Sequence, residues 1–267
     1  MLDEPYRWLE AISNRRDYIE DQLRSGSPVV GLKYDDGLLL LTIGRGQRKI
    51  FEVHDRIALS AMGHTADIER LRLMATDTAS VQGFQSSVDD VTLHRLTNFV
   101  LGPTIKQAFE AIFGSAYIIR MLLAELGVRN GENQFISLSY DGTVKSDRRV
   151  GVIGGTDEAE TAMHNYLSAA DAADLSLTPA LQLVLETWAV GRELSLQEAD
   201  ADHADSDELE NGNSESTIYK DRLHEVLQDE LKEGEIEAGV LQVSRRSNSK
   251  FALLTSEEIH MAITDWL

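Results

Sequence analysis

Apolar and polar positions follow two rhythms along the chain. Between residues 4 and 24, Trp8, Leu9, Ile12, Tyr18, Ile19 and Leu23 recur at spacings of three, four and seven, which predicts an amphipathic helix. Ser25 and Gly26 end it. From Val29 onward, short apolar runs between turn residues predict strands. Val29–Tyr34 and Leu38–Ile43 read as a hairpin around Asp35-Asp36-Gly37. The four consecutive leucines Leu38–Leu41 predict a strand covered on both faces. Gly44-Arg45-Gly46 turns the chain into a second pair, Lys49–Val53 and Ile57–Met62. A single glycine, Gly63, leads into a helix over 65–79, with Asp67 in its first turn. A second helix is expected over 91–113, kinked at Gly102-Pro103.

Three strands follow, over Tyr117–Leu126, Gln134–Tyr140 and Val150–Ile153. Gly154-Gly155 opens a helix over 156–170 with Thr156 as its N-cap, and another helix covers 178–190. Residues 198–216 are acidic, poor in apolar residues and aperiodic, which predicts a flexible insertion. A helix over 219–232, strands over 236–244 and 250–254, and a last helix over 256–266 with Ser256 as N-cap complete the chain. This order predicts an α+β fold: two antiparallel sheets face to face with helices outside, a four-layer αββα sandwich. The chain divides into an N-terminal helical segment (1–26), a core (27–197), the insertion (198–216) and a closing segment (217–267) that completes the core.

Composition narrows the function classes. A length of 267 residues with 42% hydrophobic content fits one large domain. The formal charge of −20 argues against nucleic acid and anionic membrane surfaces and favours polypeptide partners. No apolar run approaches the length of a membrane span, and the first residues lack the basic-then-apolar order of a secretory signal. Absence of cysteine excludes disulfides, thiolate metal sites and cysteine nucleophiles. The seven histidines show no ligand spacing, so neither a metal nor a cofactor is expected. Gly154-Gly155-Thr156 offers a helix N-terminus to an anion, although a plain strand-to-helix turn accounts for it.

Several segments together resemble the proteasome family of self-compartmentalising proteases, within the N-terminal-nucleophile (Ntn) hydrolases. They are Gly31, Asp36-Gly37, the run Lys49–Gly63 (KIFEVHDRIALSAMG) and Ala66–Arg72 (ADIERLR). The leading helix ending at Gly26-Ser27, SYDGTV (Ser139–Val144) with VGVIGG (Val150–Gly155), and the stretch Ile236–Ile263 are similar to the prokaryotic alpha type in particular. In catalytic beta subunits of that family a free N-terminal threonine is the nucleophile, and its own amine or a lysine is the base. By position, the resemblance places the nucleophile on Ser27, the supporting acid on Ile43 and the lysine on Lys49. Only the lysine is kept, so no catalytic residue is assigned.

The resemblance implies a noncatalytic alpha-type subunit of a cytoplasmic 20S-like particle. Trp8, Leu9, Ile12 and Ile19 would contact neighbouring copies in the ring, and Lys49, Gly26 and Gly63 would line the pocket for an activator tail. The implied partners are further copies of the chain, a catalytic beta-type subunit, an activator or ATPase ring, and unfolded polypeptide substrates. One alternative is a divergent homo-oligomeric Ntn peptidase processed to a Ser27 N-terminus. A third possibility is an assembly protein without a proteolytic partner.

Overall fold

The computed structural model describes residues 4–111, 113–127, 132–170, 175–201, 220–264 and 266. One five-stranded sheet is antiparallel throughout and is built from β1 (Val29–Tyr34), β2 (Gly37–Gly44), β8 (Val150–Ile153), β9 (Glu235–Gln242) and β10 (Phe251–Leu253), in the order β10-β9-β2-β1-β8. The other is β3 (Ile50–His54), β4 (Ile57–Gly63), β5 (Ile119–Glu125), β6 (Gln134–Leu138) and β7 (Val144–Asp147), in chain order. The αββα sandwich is therefore the observed architecture.

The four leucines of β2 explain the layering. All eight residues of β2 are buried. Leu38 and Leu40 point into the seam between the sheets with Val29, Ile50, Leu122 and Phe135. Leu39 and Leu41 point the other way, under helices α5 (Asp157–Ala169), α6 (Leu177–Ala201), α7 (Lys220–Glu230) and α8 (Ser256–Ile263). Helices α2 (Thr65–Gln85), α3 (Leu93–Leu96) and α4 (Gly102–Glu110) cover the second sheet through Leu71, Leu93 and Ile105.

The sheets interlock at one point. Gly31 of β1 and Gly151 of β8 are register partners. A Cβ on Gly31 would lie 2.6 Å from Phe135 Cε1, and one on Gly151 would lie 2.8 Å from Phe135 Cβ. Two missing side chains on one sheet thus make room for an aromatic ring from the other.

Helix α1 (Glu4–Arg24) lies against one edge of the sandwich. Ile19 and Leu23 pack with Phe109 and Tyr140. The Arg15 guanidinium donates to the carbonyls of Phe109 (2.5 Å) and Ala111 (2.8 Å), the free acceptors at the end of α4. Tyr140 donates its hydroxyl proton to Glu20.

The structure departs from the sequence reading at several places. Strand β7 was not expected, because Lys145, Ser146 and Asp147 are exposed on a sheet edge and carry no apolar alternation. Between α3 and α4 the expected continuous helix is interrupted by a π turn, Thr97–Leu101, directly ahead of Gly102-Pro103. Gly102 donates to the Thr97 carbonyl five residues back, so the ladder widens just ahead of the proline that cannot donate. The N-cap of α8 is Thr255, not Ser256: its hydroxyl accepts from the Glu258 amide while Glu258 accepts from the Thr255 amide, a capping box. Helix α6 runs to Ala201, beyond the expected end at 190 and four residues into the acidic stretch. The rest of that stretch lies outside the described residues.

Phe135→Ala would empty the glycine notch. Urea unfolding is expected to show a loss of about 3–5 kcal/mol relative to the parent chain.

Candidate functional site

The end of α1 turns into β1 through Ser25, Gly26, Ser27 and Pro28. The Gly26 amide donates to the Leu23 carbonyl (2.8 Å), closing the helix. A Cβ on Gly26 would lie 2.3 Å from the terminal methyl of Met62, which would have to swing aside, and 2.9 Å from the Leu23 carbonyl oxygen. One residue on, Gly63 has φ +124°, and a Cβ there would lie 2.1 Å from the Ile118 carbonyl oxygen. That same oxygen accepts from the His64 amide (2.8 Å), and Asp67 in the first turn of α2 accepts from the Ile118 amide (2.9 Å).

A cleft of about 340 Å³ opens between these elements. Its lining includes Gly26, Lys49, Phe51, Met62, Gly63 and Ile68. The three residues assigned to one pocket from sequence, Gly26, Lys49 and Gly63, therefore stand around one cavity. Their spacing of 23 and 14 positions gave no direct sign of this. Arg48 and Arg72 both stack on Phe51 in its wall, with guanidinium carbons 5.6 and 5.0 Å from the ring centre.

Lys49 is half-buried, and its ammonium is 3.5 Å from the Ile43 carbonyl. Burial lowers its pKa below the ordinary lysine value. Glu237 and Glu230 oppose that shift, while Arg192 and Arg45 add to it. Arg192 is itself paired with Glu230 at 2.6 Å, which joins α6 to α7 beside the cleft.

Ser27 is engaged by its own backbone surroundings. Its hydroxyl donates to the Ile43 carbonyl (2.6 Å). The Trp188 indole N–H lies 3.3 Å from the Ser27 oxygen and donates to the Pro28 carbonyl at 3.0 Å, an acceptor it shares with the Thr42 hydroxyl (2.7 Å). Ile43 is 3% exposed and sits in the apolar layer beneath the helices. Sequence reasoning missed Trp188, Thr42 and Met62. Trp188 is 160 positions from its acceptor, a separation that no local pattern reports.

The positions expected at a neighbouring copy divide. Trp8 and Leu9 are 43% and 58% exposed, and Ile12 is partly buried. Ile19 is 1% exposed within the chain's own core, so it offers no surface to a neighbour. The anion site considered at Gly154-Gly155-Thr156 is filled by the protein: Glu160 accepts from the Gly154 amide, and Arg120 reaches both Glu160 (2.8 Å) and the Gly154 carbonyl (3.1 Å). Among the described residues no cluster of histidine and carboxylate side chains is placed to hold a metal.

Two facing antiparallel sheets, covered by helices and opened at one end beside Ser27 and Lys49, define an Ntn-hydrolase type of sandwich. A family model described as proteasome subunit matches residues 23–195. The chain belongs to that family. It is 30% identical over 191 residues to a proteasome subunit alpha of Thermomonospora curvata, an alignment spanning 69% of this chain and 80% of the relative. It is 29% identical over 178 residues to a proteasome subunit alpha of a Nocardioides species (66% and 68%) and 27% identical over 179 residues to one of Streptomyces scabiei (66% and 71%). The family match stops at 195, yet β9 beyond it lies next to β2 inside the first sheet.

Gly63→Ala puts a methyl group against the Ile118 carbonyl at a backbone angle that disfavours side chains. Thermal and urea unfolding are expected to show a loss of at least about 1–3 kcal/mol.

Proposed function

We infer that this alpha-type proteasome subunit is noncatalytic and builds an outer ring that assembles a self-compartmentalising protease, restricts entry and receives an activator. The observation that carries this reading is the condition of Ser27. Its nitrogen is in a peptide bond that continues into α1, and its hydroxyl donates to the Ile43 carbonyl. A nucleophile of this class needs a free amine or another base beside it and an acid to support that base. The acid position is Ile43, a hydrocarbon side chain in an apolar layer.

The partners follow from this reading. Further copies of the chain would meet through the exposed residues of α1, Trp8 and Leu9, with Ile12 at the rim. A catalytic beta-type subunit would supply the chemistry, and unfolded polypeptides would be the substrates. The cleft around Lys49 suits the C-terminal carboxylate of an activator or ATPase ring, because a half-buried ammonium gives a charge-assisted hydrogen bond to such a group. No helix among the described residues is long and apolar enough to cross a membrane, in keeping with a cytoplasmic particle.

N-terminal sequencing of the purified protein, alone and after mixing with a beta partner, tests the noncatalytic assignment. A start ahead of α1 is expected; a start at Ser27 would favour the divergent peptidase instead. Trp8→Glu with Leu9→Glu changes exposed positions and leaves Ile19 and Leu23 in place. Native mass spectrometry is expected to show loss of rings with an unchanged circular dichroism spectrum, and intact rings would remove α1 from the interface. Lys49→Ala is expected to lower activator-stimulated degradation about ten-fold or more, the effect of losing a charge-assisted bond, without altering assembly.

A further inference from the structure

Lys49 stands immediately ahead of β3, an edge strand whose backbone lacks a neighbour on one side. The two backbone donors here are its own amide and that of Ile50. Both are met by one carboxylate: Glu237 accepts from Lys49 N at 2.8 Å and from Ile50 N at 2.9 Å. Glu237 belongs to β9, in the opposite sheet, and pairs in register with Thr42. Along β9, Ala238 and Val240 face the helices, whereas Gly239 and Leu241 face the seam between the sheets. Glu237 therefore lies on the inner face, at the mouth of the seam, with its side chain 18% exposed.

A carboxylate at the mouth of an apolar seam needs partners, and here they are two fixed backbone donors with the Arg48 guanidinium 4.0 Å away. This is a clamp across the sandwich. It joins β9 of one sheet to the start of β3 in the other, beside the lysine that the preceding section assigns to carboxylate recognition.

We propose that Glu237 is the positioning residue of the cleft: its carboxylate clamps the two amides that begin β3, and so sets where the Lys49 ammonium stands and balances its charge. This rests on the reading of the cleft given above, but its physical content concerns Lys49 alone. The charged groups acting on the Lys49 amine are Glu237 from β9, Arg192 from α6, Glu230 from α7 and Arg45 from the β2–β3 turn. Arg48 is its chain neighbour, and Glu69 of α2 lines the same cleft but is tied to Arg72. Glu237 heads the groups that favour the charged amine, against burial and two guanidinium groups. Its removal leaves the amine more readily deprotonated.

The direct test is the reactivity of the Lys49 amine as a function of pH. The full-length protein is pulse-labelled with acetic anhydride between pH 6 and 11, and acetylation of Lys49 is read by peptide mass spectrometry. Only the neutral amine reacts. In Glu237→Gln the Lys49 midpoint is expected at lower pH than in the parent chain, with labelling at pH 8 raised about two- to five-fold. Glu237→Asp keeps the charge but withdraws it by one methylene, so its profile is expected between the two; it also carries the test if the Gln variant does not fold. Superimposable Lys49 profiles in the parent and the folded variants would overturn the proposal and leave Glu237 as a strand anchor only. A separate titration uses a peptide with a free C-terminal carboxylate and its amidated form. Equal binding of the two would sink the carboxylate reading of the cleft, while a shifted amine profile would still uphold Glu237.

Discussion

The separation of the two sheets is fixed where the Phe135 ring enters the gap left by Gly31 and Gly151. Sheets pack about 10 Å apart when ordinary side chains interdigitate. Here one large side chain faces two absent ones, and the ring takes the space that two Cβ atoms would need. The cleft depends on this closure. Gly26 belongs to the lead into the first sheet and Met62 to the second, and the Met62 methyl lies 2.3 Å from where a Cβ on Gly26 would stand. Were β2 to slip by one residue in its pairing with β1 and β9, its inward leucines would exchange with the outward ones, and both layers would be lost together.

Charge acts after packing has set the distances. A chain with a formal charge of −20 places cations beside its cleft: Lys49, Arg48, Arg45 and Arg192. Most of these are already answered. Arg192 is paired with Glu230, and Arg45 reaches Glu230 and Glu233 at its exposed rim. The rim pairs contribute little to stability, being solvated. Lys49 differs because burial removes part of its hydration and no carboxylate is within ion-pair distance of its ammonium among the described residues. A half-buried ammonium with only a distant carbonyl contact is the group in this region best able to gain from an incoming anion.

Legibility of the sequence followed how local each signal was. Strands β1 to β6 and β8 were readable because burial on one or both faces leaves apolar runs bounded by Gly, Asp and Pro. The exposed edge β7 leaves none. Helix ends were less secure: two adjacent hydroxyl residues, Thr255 and Ser256, compete for the cap of α8, and only the Glu258 amide decides between them. The pattern in α1 showed an apolar face but not its division. Ile19 and Leu23 are consumed by Phe109 and Tyr140, distant in sequence, while Trp8 and Leu9 stay exposed. For the cleft, position within the family brought Gly26, Lys49 and Gly63 together. Glu237, from the far end of the chain, carries no local mark beyond being an acid in an apolar strand.

The two features of the Ser27 region bear on catalysis independently. Cleavage before Ser27 would create the amine that this class of nucleophile uses as base. It would not release α1 by itself, since Ile19 and Leu23 are buried and Arg15 holds the end of α4 through two carbonyls. The freed serine would also still face Ile43, whose buried side chain cannot orient an ammonium, and its own hydroxyl is the one that donates to the Ile43 carbonyl at 2.6 Å. Restoring a nucleophile would need a carboxylate placed in the apolar layer beneath α6 and α7, where an unpaired charge carries a large desolvation penalty. The packing that stabilises this sandwich around Ile43 is therefore itself an obstacle to the chemistry, and this is the physical ground for the noncatalytic reading proposed above.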